Sequence, residues 1–210
     1  MKPKLPQLLE SGVVAVMRRL PGEHIHSIAD ALVAGGVTGL EVTVDSDDAF
    51  AAIRELRERL GDSAVVGAGT VLDEETAVQA IQAGAQFIFA PTLDRGTIEA
   101  SNRYNTIVIP GIFTPTEALQ AKNWGADLVK VFPADAVGPA FIKALQGPLG
   151  HIPMMPTGGI DLDNIADYMQ AGAVAVGAGG SLLDKKLIAA QDWAGLTSRA
   201  RKFVAEARLR

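Results

Sequence analysis

A single lysine interrupts one of the most apolar runs of this chain, Leu128-Val129-Lys130-Val131-Phe132-Pro133. Such a run fits a short strand covered on both faces, with Leu128, Lys130 and Phe132 on one face and Val129 and Val131 on the other. An ammonium group is costly there unless it is paired or neutral. A neutral lysine is a nucleophile that attacks ketones to form imines. The plainer alternative is a lysine that snorkels past the strand end or pairs with one carboxylate. Glu41 poses the same problem, because Gly39, Glu41 and Thr43 share a face of a run that also holds Val37, Leu40 and Val42. It is either the buried partner that neutralises Lys130 or a general acid/base beside an amine nucleophile. The two roles are compatible if burial keeps a fraction of the amine neutral.

Both residues must be held by strands, and strand and helix patterns alternate along the chain. Strand patterns fall at 13–17, 37–44, 64–68, 86–90, 106–109, 128–133, 152–155 and 173–176. Helical spacing follows at 23–34, 47–60, 73–83, 94–102, 115–123, 139–145, 161–170 and 193–208. Regular alternation predicts a parallel sheet with right-handed crossovers. Eight units in 210 residues predict an α/β fold, a single-domain (β/α)8 TIM barrel over residues 1–210, with a doubly wound open sheet as the alternative. Periodicity is local and does not distinguish closure from an open edge.

A barrel places its site at the C-terminal ends of the strands. The residues expected on that rim are Arg18, Glu41, Thr43, Thr70, Pro91, Lys130, Phe132 and Thr157, with Gly158-Gly159 after strand 7 and Gly179-Gly180-Ser181 after strand 8. Glycines at those two places let backbone N–H groups approach a phosphate, and the Ser181 hydroxyl adds a donor. Plain turns use the same glycines. Arg18 ends strand 1, which adjoins strand 8 once a barrel closes, so its guanidinium is expected to reach the same anion. Gly67-Ala68-Gly69-Thr70 lacks the third glycine of a dinucleotide fingerprint. Asp127 falls at a strand entrance, the opposite end.

Composition narrows the partners. Hydrophobic residues at 48% and charged residues at 20% describe an ordinary globular chain. A net charge of −5 and basic runs no longer than two residues argue against nucleic acid or an anionic membrane surface. Without cysteine there is no thiol chemistry and no disulfide, which suits the cytoplasm. His24 and His26 lie two apart at a helix start and do not face one way, so neither a metal nor a cofactor is expected. Trp124, Trp193 and Tyr168 read as packing or surface residues. Asp45-Ser46-Asp47-Asp48 reads as a helix-start signal.

With these residues placed, the chain resembles the 2-keto-3-deoxy-6-phosphogluconate (KDPG) aldolase / 4-hydroxy-2-oxoglutarate aldolase family. The resemblance is carried by Val14-Ala15-Val16-Met17-Arg18, Gly39-Leu40-Glu41-Val42-Thr43 and Gly67-Ala68-Gly69-Thr70-Val71. It continues through Pro110-Gly111, Thr114-Pro115-Thr116-Glu117, Val129-Lys130-Val131-Phe132-Pro133-Ala134 and Pro156-Thr157-Gly158-Gly159-Ile160. It implies a class I, metal-independent lyase, assembled as a homotrimer, whose partner is a small phosphorylated 2-keto-3-deoxy sugar acid and its product pyruvate. By resemblance Lys130 is the Schiff-base lysine and Glu41 the proton-transfer residue. Thr70, Pro91 and Phe132 would line the pyruvate end, and Thr157 would contact the chiral part of the substrate. Gly158, Gly159, Gly179, Gly180 and Ser181 would hold the phosphate. The chain departs from some members at Asp45, where they carry a substrate-positioning arginine; other members, like this chain, end strand 1 with an arginine. The rival readings are an aldolase for the galactonate epimer or for 4-hydroxy-2-oxoglutarate, a phosphate-binding barrel isomerase or decarboxylase without an imine, and a non-catalytic scaffold.

Overall fold

The computed structural model describes residues 2–209. Its strands are β1 (Val13–Met17), β2 (Gly39–Thr43), β3 (Val65–Gly69), β4 (Phe87–Phe89), β5 (Ile107–Ile109), β6 (Gly111–Ile112), β7 (Val129–Val131), β8 (Met154–Pro156) and β9 (Val176–Ala178). They form two parallel ladders, in the order β5-β4-β3-β2-β1-β9 and β6-β7-β8. Two seams join the ladders into a closed barrel. At the first, β5 and β6 are one stave interrupted at Pro110, which has no N–H to donate but accepts from Lys130 N at 2.8 Å. At the second, Thr157 bridges to Gly177 in parallel register, and Val174 N donates to Met154 O at 3.0 Å. The expected eight-stave barrel is therefore what forms, and the open sheet is not.

Helix α1 (Leu5–Glu10) packs on the inner layer, and the outside is covered by α2 (Ile25–Ala34), α3 (Ala49–Leu60), α4 (Glu74–Gln82), α5 (Arg95–Arg103), α6 (Pro115–Asn123), α7 (Gly138–Leu149), α8 (Ile165–Gln170), α9 (Lys185–Ala189) and α10 (Trp193–Ala207). Several begin on a side-chain cap that satisfies a free N–H of the first turn. Asp73 accepts from Thr76 N, Asp94 from Thr97 N and Asp192 from Gly195 N, while Thr114 and Glu117 form a reciprocal capping box. None of the described helices is long and apolar enough to cross a membrane.

Side-chain alternation sorts the core into two layers. Val129 and Val131 face outward and pack with helix residues such as Ile142 and Leu145. Leu128 faces the barrel interior with Val14, Val65, Phe87, Phe89, Ile109 and Met155. The run around Lys130 is thus divided between the faces as its parity predicts.

Several elements depart from expectation. No element is predicted before residue 13, yet α1 folds there and seats the fully buried Leu8 against the inner layer. Gly39 makes room for it: a Cβ there would stand 2.8 Å from a Leu8 methyl. Next to this plug Lys2 reaches Asp127 at 2.9 Å and Asn102 at 2.8 Å and bonds the Thr106 carbonyl, while Asp127 accepts from Val108 N at 2.9 Å. The last strand begins three residues later than expected, at Val176. Helix α3 begins at Ala49, because Asp48 takes a left-handed conformation (φ 51°). Helix α8 is short, because Asn164 and Asp161 accept from the N–H groups of Asp161 and Asp163 and hold 161–164 as a turn.

Candidate active site

At the C-terminal mouth of the barrel lies a cavity of about 620 Å³. Arg18, Thr70, Pro91, Lys130, Phe132, Thr157, Gly158, Gly159, Gly179, Gly180 and Ser181 all line it. These come from six strand ends and the loops that follow them, so closure alone brings them together.

Lys130 rises from the floor with 4% of its surface exposed. Its Nζ lies 4.1 Å from the centroid of the Phe89 ring and 4.7 Å from that of Phe132. Burial lowers its pKa from the usual lysine value, Glu41 pulls it back up, and Arg18 pushes it further down. Glu41 is wholly buried, and burial pushes its carboxyl up to about 7 against the pull of Lys130 and Arg18. Neither Glu41 oxygen accepts a hydrogen bond from the described residues. The pair is therefore not a closed salt bridge. Burial drives both groups toward their neutral forms, the form in which an amine is a nucleophile and, for Glu41, one that exchanges its proton near neutral pH.

The space for Glu41 is carved from strand β3. A Cβ on Gly69 would stand 1.9 Å from Glu41 Oε1, and one on Gly67 2.4 Å from the Phe87 ring. Across the barrel, a Cβ on Gly177 would stand 2.3 Å from Thr157 Oγ1. Thr157 is buried and this hydroxyl has no partner among the described residues. Glycine's missing side chain here serves close approach, not a turn.

The guanidinium of Arg18 lines the same cavity as the glycine pairs and is anchored to the loops after β2 and β3. Its Nη1 donates to Asp45 Oδ2 at 2.9 Å and its Nη2 to Thr70 Oγ1 at 2.5 Å. The bond to Asp45, a carboxylate on the neighbouring loop, is not foreseen from the sequence. Thr43 does not line the cavity; it is fully buried and its hydroxyl pairs with Ser46 Oγ at 2.9 Å.

Gly158 (φ +97°) and Gly159 (φ +69°) adopt the left-handed conformations that only glycine takes freely. Among the described residues the N–H groups of Gly158, Gly159, Gly180 and Ser181 make no hydrogen bond, so they can serve an anion. The Ser181 hydroxyl differs from expectation, because it donates to Ile160 O at 2.5 Å and is not a free donor. Tyr168 proves to be a packing residue whose hydroxyl donates to Ala134 O at 3.0 Å.

Sequence reasoning missed Val16, Ile160 and Asp161 on the cavity wall and Phe89 against the lysine. Parity could have found two of them. Val16 alternates with Val14 and Arg18, and Phe89 with Phe87.

A family model described as "Aldolase: KDPG and KHG aldolase" matches residues 6–198. The chain is 38% identical to the 2-dehydro-3-deoxy-phosphogluconate aldolase of Dickeya dadantii, over 98% of this chain and 97% of that one. Among solved structures it superposes on a protein described as native KDPGal with a TM-score of 0.87 and 30% identity, covering 93% of this chain and 94% of that one. It also superposes on KDPG aldolase from Legionella pneumophila, which holds pyruvate as a covalent carbinolamine, with a TM-score of 0.86 and 28% identity, covering 93% and 96%. Matched along nearly its whole length in sequence and in fold, this chain belongs to the KDPG and KHG aldolase family.

Proposed function

We propose that this protein is a class I aldolase that reversibly cleaves 2-keto-3-deoxy-6-phosphogluconate to pyruvate and glyceraldehyde 3-phosphate. The observation that carries the reading is the buried Lys130, shifted toward its neutral amine, together with a Glu41 carboxyl that has no hydrogen-bond partner among the described residues. Lys130 Nζ adds to the C2 ketone, and loss of water from the carbinolamine gives an iminium that withdraws electrons from C3. Glu41, acting through a water, takes the C4 hydroxyl proton as the C3–C4 bond breaks, and the aldehyde leaves. The enamine is then protonated at C3 and hydrolysed to pyruvate, freeing the lysine. Thr70, Pro91 and Phe132 enclose the pyruvate portion, with Arg18 beside Thr70 taking its carboxylate. Thr157 faces the hydroxylated carbons, and the N–H groups of Gly158, Gly159, Gly180 and Ser181 cradle the phosphate. Thr43 acts from behind, through the loop that carries Asp45.

In this reading the whole chain is one catalytic unit that assembles as a homotrimer in the cytoplasm. The apolar side chains exposed at Leu72, Phe113 and Leu119 and the absence of cysteine are consistent with that. The test is to add pyruvate, reduce with borohydride and locate the adduct by mass spectrometry. It is expected on the peptide containing Lys130. An unmodified Lys130 in protein that turns over substrate would overturn the Schiff-base assignment.

A further inference from the structure

Asp45 belongs to a run that reads in sequence as a helix-start signal, yet its carboxylate holds Arg18 at 2.9 Å and Arg19 at 3.1 Å. The loop beneath it is fastened from two sides. Ser46 Oγ accepts from Arg19 N at 2.8 Å and pairs with Thr43 Oγ1 at 2.9 Å. Arg19 itself is a non-glycine residue in the left-handed region (φ 48°), so the turn after β1 is bent to bring its backbone over the β2 loop. Arg18 is thereby stretched across three strand ends. It leaves β1, is gripped by Asp45 after β2, and donates to Thr70 after β3. A long side chain half open to solvent would otherwise sample many rotamers. Here two of the five guanidinium donors are spent on the protein, and Arg18 lines the cavity that Lys130 shares.

We propose that Asp45 is a positioning residue that holds Arg18 in the orientation that receives the carboxylate of the 2-oxo acid. The inference rests on the assignment of the Arg18–Thr70 side as the pyruvate end. The charge logic is specific. An unclamped arginine could swing over the buried Lys130 and Glu41 or out into water. A clamped one stays at the rim and offers a fixed fork, the geometry that suits a carboxylate.

Pyruvate binding should be measured by calorimetry, and the Lys130 adduct titrated against pyruvate, for wild type, Asp45→Ala, Asp45→Asn, Arg18→Ala and the Arg18→Ala/Asp45→Ala double variant. Asp45→Ala should raise the half-saturating pyruvate concentration about ten- to twentyfold, the lower end of the scale of one charge-assisted hydrogen bond. The maximal extent of adduct should hold, and Asp45→Asn should recover part of the loss. In the Arg18→Ala background the further substitution at Asp45 should change nothing, because the cycle closes through Arg18. Unchanged or tighter binding in Asp45→Ala would show that Asp45 is idle or competes with the substrate carboxylate, and overturns the proposal. A loss that persists without Arg18 overturns it too. If Asp45→Ala unfolds, Asp45→Asn carries the same comparison. A wild type that binds pyruvate without forming an adduct sinks the Schiff-base reading alone, since calorimetry still decides on Asp45. A wild type that does not bind pyruvate overturns both.

Discussion

Glu41 shows how a single residue's burial becomes both chemistry and instability. Its carboxyl takes up a proton near pH 7 in the folded protein, against an ordinary value of 4.5. Between those values the folded state binds more protons than the unfolded one, so the stability held in neutral Glu41 is complete below about pH 4.5 and is lost as pH rises through about 7. Lys130 has the opposite sign. Its pKa is lowered from 10.5, so the cost of charging the buried amine is greatest in acid and fades as pH rises. Asp45, Asp62, Asp73 and Glu117 are lowered, so their stabilisation is present above their ordinary values of 3.8 or 4.5 and is lost only in more acid solution. Glu41→Gln should therefore gain thermal stability relative to wild type as pH rises from about 4.5 to above 7. Parallel melting-temperature curves over that range would show that Glu41 titrates as an ordinary carboxylate. The same variant should slow turnover by about 10²–10⁴-fold while pyruvate still binds, the usual cost of removing a general acid/base. A collapse of binding with turnover spared would make Glu41 an anchor.

At the scale of elements, β3 is built around what it lacks. Gly67 and Gly69 face inward, and their absent side chains admit Phe87 and the Glu41 carboxylate. Gly69 adopts ordinary strand geometry, so alanine would suit its backbone and fail only because of the neighbour at 1.9 Å. Gly69→Ala should leave a folded barrel with kcat reduced about as far as Glu41→Gln, within about 10²–10⁴-fold, because the carboxylate must leave its position. Steady-state kinetics beside circular dichroism checks this. Near-normal kcat would mean that Glu41 has a second working position.

Across the whole molecule, the working mouth depends on a plug at the other end. Leu8 fills the bottom of the inner layer that supports Phe87, Phe89 and ultimately Lys130. Leu8→Ala should destabilise the fold by about 2–5 kcal/mol, the range for emptying a buried leucine site. It should leave kcat within a few-fold, because the cavity it opens is remote from the mouth. Urea denaturation measures the first and initial rates the second. A loss below 1 kcal/mol, under the usual range, would show that α1 is dispensable to the core.

Local alternation is enough to put Lys130 and Glu41 on inward faces, and helix caps such as Asp73, Asp94 and Thr114 announce themselves in the sequence. The pair Gly158-Gly159 is equally legible, because φ above zero is a local demand. What tertiary structure alone decided has a different range. Closure rests on two seams, Lys130 N to Pro110 O and Thr157 to Gly177, which join residues 20 apart in sequence without leaving any periodic mark. The Arg18 clamp joins residues 27 and 52 positions apart, so Asp45 looked like a helix signal until the barrel brought it to Arg18. Short-range pattern reports which face a side chain takes; the neighbour across that face is set by register and closure, where the reach of local periodicity ends.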